Sequence, residues 1–324
     1  MQSNTLYIAS LEPEAGKLVV TMGIMEILTR SMGNIAFFRP VIDTDGNTPD
    51  PDIALIRSRY CPSMSYEESY GFQAAEVKSF VAEDRIKFFL EELINRLNSL
   101  KKKYDFVLCQ GLNSTAFLSA FDMDINMEIA KNLGCPFIGV INGMNQTPRD
   151  IAKEIKITAD AIQESGCAHF ATFVNRMAED TFGVLEVALD EPDKTSGVPV
   201  FLLPENRELD KPSLADITAA LNCTNVLERC DGMDRIVKQF KIAAMTMEHF
   251  LDHVEDGDLI IVPGDRDDII LASLSTLFSA NFPNLAGILL SGGFIPGPNT
   301  MRLLTGRDHC IPLLSVKSDT YTTA

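Results

Sequence analysis

Gly16-Lys17 stands between a short apolar run, Leu6-Tyr7-Ile8-Ala9-Ser10, and an apolar segment that opens at Leu18 and continues to Met32. Read as strand and helix, with Glu12-Pro13-Glu14-Ala15 as the turn between them, this is the context of a Walker A phosphate loop. In such a loop the backbone N–H groups and the helix N-terminus cradle phosphate and the lysine neutralises it. A Ser or Thr directly after the lysine ligates Mg²⁺. Here that position is Leu18, Ser10 or Leu11 stands where the loop's first glycine belongs, and Glu12 and Glu14 bring negative charge to the phosphate position. The expectation is a degenerate anion site built on Ser10, Gly16 and Lys17, with no bound metal, no cofactor and no nucleotide hydrolysis.

A second group of chemistry-bearing residues lies late in the chain. Pro263-Gly264-Asp265-Arg266 follows a strand-like run and opens a helical one, and Ser291-Gly292-Gly293 follows Ile288-Leu289-Leu290. Both fall at the carboxyl ends of predicted parallel strands, where open α/β sheets bind ligands. Glycine there also permits turns at positive φ, and an Asp-Arg pair can simply cap a helix and tie two loops. On physical grounds alone the structural role stands somewhat ahead of a ligand site. Other chemistry is set aside: His249 and His253 share a predicted helix face without an H-E-x-x-H pattern, and no G-x-S-x-G elbow occurs. No catalytic residue is assigned.

The elements that must position these groups alternate in the first two thirds of the chain. Predicted strands are Leu6 to Ser10, Ile35 to Val41, Asp105 to Gln110, Phe137 to Ile141, Phe170 to Val174 and Val198 to Leu203. Amphipathic helices separate them, with Arg85 to Leu100 the clearest, which is the pattern of a parallel sheet covered on both faces. Pro204 and Lys211-Pro212 then break the composition. The pattern restarts with a helix over Leu214 to Leu221 capped by Ser213, a strand over Val237 to Met245 and a helix over Met247 to Val254. A strand over Asp258 to Pro263, a helix over Asp267 to Phe278, and strands over Leu285 to Leu290 and Ile311 to Val316 complete it. The predicted fold class is α/β, with a P-loop-type parallel domain over 1–210 and a smaller α/β domain over 211–324. The last segment, Ser318 to Ala324, is expected to follow its strand without a covering helix.

With 324 residues the chain has room for two domains, and 46% hydrophobic content supplies ordinary cores. A formal charge of −17 leaves no basic face for nucleic acid, and no apolar run reaches membrane-span length. The seven cysteines form no C-x-x-C pair. They read as reduced core residues of a cytoplasmic protein.

Several segments taken in order resemble one family over nearly the whole chain. They are Phe37-Phe38-Arg39-Pro40-Val41, Phe106 to Leu112, Asn126 to Leu133, Val174-Asn175-Arg176, Gly264 to Asp268 and Gly287 to Gly293. Together they resemble the N-terminal regulatory region of long-form bacterial phosphate acetyltransferases. In that family a P-loop domain similar to dethiobiotin synthetase precedes a domain named for its Asp-Arg-Thr-Gly-Gly sequence. The resemblance implies a strand-two lysine, an acidic residue after strand three and a hydroxyl after the loop lysine, where this chain has Arg39, Gln110 and Leu18. It places Asn175 at the base-recognition strand end. The nucleotide or anion set it implies is therefore Ser10, Gly16, Lys17, Arg39 and Asn175. The second-domain signature is carried by Asp265, Arg266, Ser291, Gly292 and Gly293, with Ser291 in place of threonine.

The resemblance further implies that acetyl transfer between coenzyme A and phosphate belongs to a C-terminal catalytic domain, so this chain is expected to be a non-catalytic regulatory and assembly region. Its implied partners are that domain, further copies in a homo-oligomer, and a small-molecule effector or nucleotide; no nucleic acid or membrane is expected. The alternative is an ATP-dependent ligase related to dethiobiotin synthetase, against which Leu18, Gln110 and the appended second domain argue.

Overall fold

A computed structural model describes residues 4–10, 12, 14–44, 48–112, 119–189, 197–227, 230–305 and 310–324. Leu11 and Pro13, named above in the phosphate loop, lie outside the described residues. The chain divides into two compact units, Met1–Glu205 and Asn206–Ala324.

The first unit runs β1 (Thr5–Ser10), α1 (Lys17–Ser31), β2 (Ile35–Ile42), α2 (Pro51–Tyr60), β3 (Tyr70–Gln73), α3 (Ala74–Ala82) and α4 (Ile86–Lys101). It continues β4 (Phe106–Gln110), α5 (Ser119–Leu133), β5 (Phe137–Asn142), α6 (Pro148–Ser165), β6 (His169–Met177), α7 (Glu179–Leu189) and β7 (Val200–Pro204). Its seven strands form one parallel sheet in the order β3-β2-β4-β1-β5-β6-β7. Every residue of β2 and of β4 is buried, as expected of strands covered on both faces. Tyr7, Phe37, Phe38, Phe89 and Phe137 are wholly enclosed in the core, each contributing on the order of 2 kcal/mol by leaving water. The helices begin where local chemistry provides partners for their first N–H groups. Asp50 precedes Pro51 and accepts from the Ile53 amide at 3.1 Å, and Thr147 precedes Pro148 and accepts from Asp150.

The second unit runs α8 (Leu214–Leu221), β8 (Thr224–Asn225), β9 (Gln239–Ile242), α9 (Met247–Leu251), β10 (Asp258–Pro263), α10 (Asp267–Thr276), β11 (Gly287–Ser291), α11 (Pro298–Thr305), β12 (Leu313–Ser315) and α12 (Thr320–Thr323). Its sheet has the order β8-β12-β11-β10-β9, parallel except that β8 runs antiparallel to β12. One face packs Ile260, Val262, Ile288 and Leu290 under α9, α10 and α11; the other packs Leu259, Ile261 and Leu289 under Leu214 of α8.

Three expectations are corrected. The predicted strand over Val237 to Met245 pairs only through Gln239–Ile242, because at the sheet edge β10 is its one neighbour. The chain after β12 does carry a helix: Asp319 caps the single turn Thr320–Thr323 by accepting from the Thr322 amide at 2.8 Å. Finally, Cys230 and Cys310 are not reduced core residues. They form a disulfide across a sequence separation of 80, with Cα atoms 5.8 Å apart. Cys61, Cys109 and Cys135 are free and buried, and Cys167 and Cys223 are free and half-buried.

Candidate functional site

The carboxyl ends of β1, β2, β4 and β6 gather the predicted set of the first unit. Gly16 sits at the N-terminus of α1 with φ 73°, the left-handed conformation that favours glycine. A Cβ built on it would lie 2.2 Å from Nδ2 of Asn175, which donates to the Ala15 carbonyl at 3.0 Å. The loop and the β6 end are therefore locked together at van der Waals contact. Ser10 turns inward, its hydroxyl donating to the Glu12 carbonyl at 2.9 Å.

Lys17 is buried. Its ammonium donates to the Gly111 carbonyl at 3.2 Å and to the Leu112 carbonyl. That carbonyl pair is fixed from behind by Asn126, whose Oδ1 accepts from the Leu112 amide at 3.0 Å and from the Tyr7 hydroxyl at 2.8 Å. Gly111 is itself required there, since a Cβ would meet Asn126 Oδ1 at 2.3 Å. Sequence reasoning noted Asn126 within a matching segment and did not foresee this role.

Arg39 is held by acids of its own unit. Nη1 donates to Asp50 Oδ1 at 2.7 Å and Oδ2 at 2.6 Å, and reaches Asp52 Oδ2 at 3.4 Å. Gln110 donates from Nε2 to the same Asp52 oxygen at 2.7 Å. The side chains of Arg39 and Asp50 are each 4% exposed, so this is a buried ion pair. Asp50 and Asp52 were missed as partners; the Asp-Pro-Asp run is legible as a helix start but not as the counter-charge of a residue in β2.

Glu12 adds charge next to the loop. Burial pushes its carboxyl above the ordinary range, and repulsion by and hydrogen bonding with Glu154 of α6 push it further. A carboxyl raised in this way binds its proton more tightly folded than unfolded. Its ionisation therefore opposes folding above the unfolded value, and the penalty disappears as pH falls through the folded value. Glu12→Gln is expected to raise the melting temperature at pH 7 and to leave it unchanged below about pH 4, the ordinary carboxylate range. Equal shifts at both pH values would contradict this account.

In the second unit the two predicted clusters do meet. The Gly264 amide donates to the Ser291 carbonyl at 3.3 Å. Gly292 and Gly293 have φ of 82° and 72°, and their amides donate to Ser318 and Val316 carbonyls at 2.7 and 2.8 Å. Ser291 Oγ lies 2.7 Å from Thr320 Oγ1. Arg266 pairs with Asp268 through Nε and Nη2, both at 2.9 Å, rather than with its neighbour Asp265, and Nη2 also donates to the Met245 carbonyl at 3.1 Å. The signature amides thus tie the β10, β11 and β12 loops to one another. Among the described residues, no group of three metal-ligating side chains occurs and no helix is long and apolar enough to cross a membrane.

The class defined here is a parallel α/β protein with a Gly-Lys turn at the carboxyl edge of its first sheet and a glycine-tied loop cluster at that of its second. The chain belongs to the family described as AAA domain, which it matches over residues 4–213. Residues 216–324 match the DRTGG domain. Both parts of the resemblance read from the sequence are thereby shown.

Phosphate acetyltransferase of Nitratidesulfovibrio vulgaris is 35% identical, covering 99% of this chain and 46% of its own length. The Synechocystis enzyme of the same name is 30% identical with the same coverage, 99% and 46%. The chain spans about half the length of these curated relatives. A solved structure of the CBS and DRTGG domains of the regulatory region of Clostridium perfringens pyrophosphatase covers 56% of this chain and 69% of its own at 14% identity and TM-score 0.29, too slight a likeness to argue from.

Proposed function

We propose that this chain is the regulatory and assembly region of a phosphate acetyltransferase and performs no acetyl transfer itself. The observation that carries the reading is the self-engagement of the P-loop edge. Lys17 is bound to two carbonyls, Arg39 to Asp50 and Asp52, Gln110 to Asp52, and Asn175 to the Ala15 carbonyl. Acetyl transfer to phosphate needs converging cations for the acceptor, a base or oxyanion stabiliser beside the thioester, and a groove for coenzyme A. The cations present are engaged by groups of their own unit, Lys17 by two backbone carbonyls and Arg39 by carboxylates.

An effector anion at the start of α1 would compete with the Gly111 and Leu112 carbonyls for Lys17, so its binding would be felt directly by the β4–α5 loop that Asn126 anchors. This gives the degenerate loop a use as a sensor without Mg²⁺ chemistry. The relatives' common name, and the half of their length that this chain spans, support placing the chemistry outside it.

The test is coenzyme A release from acetyl-CoA by the purified 324-residue chain. No phosphate-dependent release above background is expected, and its appearance would overturn the reading. In parallel, ATP with Mg²⁺ should show no steady turnover. A turnover abolished by Lys17→Ala would favour an ATP-dependent ligase instead.

A further inference from the structure

The bridge between Cys230 and Cys310 lies beside the outer edge of the second sheet. There β8 pairs with β12 only through Asn225 with Leu314 and Thr224 with Ser315, and the Val226 amide adds a bond to the Leu313 carbonyl at 2.8 Å. A pairing this short contributes little stability of its own. Cys230 follows β8 closely in the chain and Cys310 shortly precedes β12, so the disulfide closes a small ring around the pairing and fixes its register.

β12 in turn holds the signature loop. The chain leaving it offers the Val316 and Ser318 carbonyls to the Gly293 and Gly292 amides at 2.8 and 2.7 Å, and Thr320 Oγ1 meets Ser291 Oγ at 2.7 Å. Loosening β12 at its outer edge is therefore transmitted to Ser291-Gly292-Gly293 through these bonds. The unit does not need the bridge to fold, because apolar clusters cover both faces of its sheet, whereas domains that depend on disulfides are those too small to build such a core.

The two sulfurs differ in access. Cys230 is 6% exposed and Cys310 is half-buried, which leaves Cys310 the one open to attack by a thiolate. Cys223, the remaining cysteine of the unit, packs on the opposite face of the sheet. Burial pushes its thiol above the ordinary range, so it is a poor nucleophile for reshuffling the bridge.

We propose that Cys230 and Cys310 form a reversible thiol switch, in which oxidation pins β8 to β12 and steadies the Ser291–Gly293 loop, and reduction by a dithiol releases both. A thiolate of the dithiol attacks Cys310 Sγ, the S–S bond breaks, and Cys230 leaves as a thiolate that takes up a proton. The second thiol of the reductant then attacks the mixed disulfide and frees Cys310. Two electrons and two protons pass to the cysteine pair, and the dithiol becomes a disulfide. The switch acts within the second unit and requires nothing of the anion site proposed for the first.

The test is treatment of the folded 324-residue chain with reduced and then oxidised dithiothreitol, followed by maleimide labelling with peptide mass mapping and by hydrogen exchange. Reduction is expected to expose thiols at 230 and 310 without denaturant, and oxidised dithiothreitol to remove them again. The Val226, Gly292 and Gly293 amides should exchange about 10-fold faster or more in the reduced chain, while those of Ile260 and Ile261 in β10 keep their protection. Cys230→Ala/Cys310→Ala should show the fast exchange without reductant and no response to it; if that variant fails to fold by circular dichroism, reduction of the wild-type chain decides alone. A bridge that yields only to denaturant, or thiols at 230 and 310 that stay free in oxidised dithiothreitol, overturns the proposal. Exchange at Gly292 and Gly293 that ignores reduction overturns it too, as does loss of β10 protection, which would make the bridge a staple of the whole unit.

Discussion

Arg39→Leu is expected to destabilise the first unit by about 3–5 kcal/mol, the range for breaking a buried ion pair from one side. The change leaves Asp50, with 4% of its side chain exposed, and Asp52, with 17%, without their shared cation in the interior. Asp50 cannot swing out to water without releasing the Ile53 amide and the N-terminus of α2. Arg39→Lys should recover only part of the loss, because all three contacts are made by the terminal nitrogen Nη1, which lies one bond further along the side chain than a lysine ammonium. Arg39→Leu combined with Asp50→Asn removes the stranded charge while keeping a capping oxygen, so it should be more stable than Arg39→Leu alone. Urea unfolding of the four proteins measures all three terms. A loss below about 1 kcal/mol for Arg39→Leu would mean that the pair is effectively solvated, and would reopen Arg39 as a residue free to take an anion.

That arginine also marks how far the sequence can be read. The Gly-Lys turn was legible because a buried strand and an apolar helix flank it at fixed distances, and the structure puts α1 and Gly16 there. Arg39 was legible as a position but not as a state. Its partners come from the loop before α2, and no periodicity links residue 39 to residues 50 and 52. The same limit hid Asn126, which meets Tyr7 from 119 positions away.

Local signals did better wherever the chemistry was local. Ser213 and Asp216 form a reciprocal capping box, and α8 begins at Leu214 as predicted. β3 went unnoticed for a physical reason: it has four residues, lies at the sheet edge and contains Gly71, a residue that normally weakens strands. Glycine is needed there because a Cβ would come within 2.4 Å of the Pro40 carbonyl oxygen on β2. The disulfide had no spacing signature at all, since its cysteines are brought together by the sheet across 80 positions.

Gly264→Ala is the expected large effect in the second unit, with a loss of about 3 kcal/mol or more, at or above the upper end for overpacking. The new methyl group would sit 2.1 Å from the Phe294 carbonyl oxygen and 2.5 Å from its carbonyl carbon, both backbone atoms that no rotamer change can remove. Relief requires the β10–α10 loop to move, which breaks the Gly264 to Ser291 hydrogen bond and drags Arg266 from the Met245 carbonyl. Gly297→Ala is the matched control, because the nearest atom to its Cβ is Asp267 Oδ2 at 3.8 Å, an ordinary contact, and it should change stability by less than about 0.5 kcal/mol. Native-state hydrogen exchange reads the two units separately: amides of β10 and β11 should lose protection in Gly264→Ala while those of β1 and β4 keep theirs. Retained protection in β10 and β11 would show that the loop yields cheaply, and that the signature glycine is not the spacer its contacts make it.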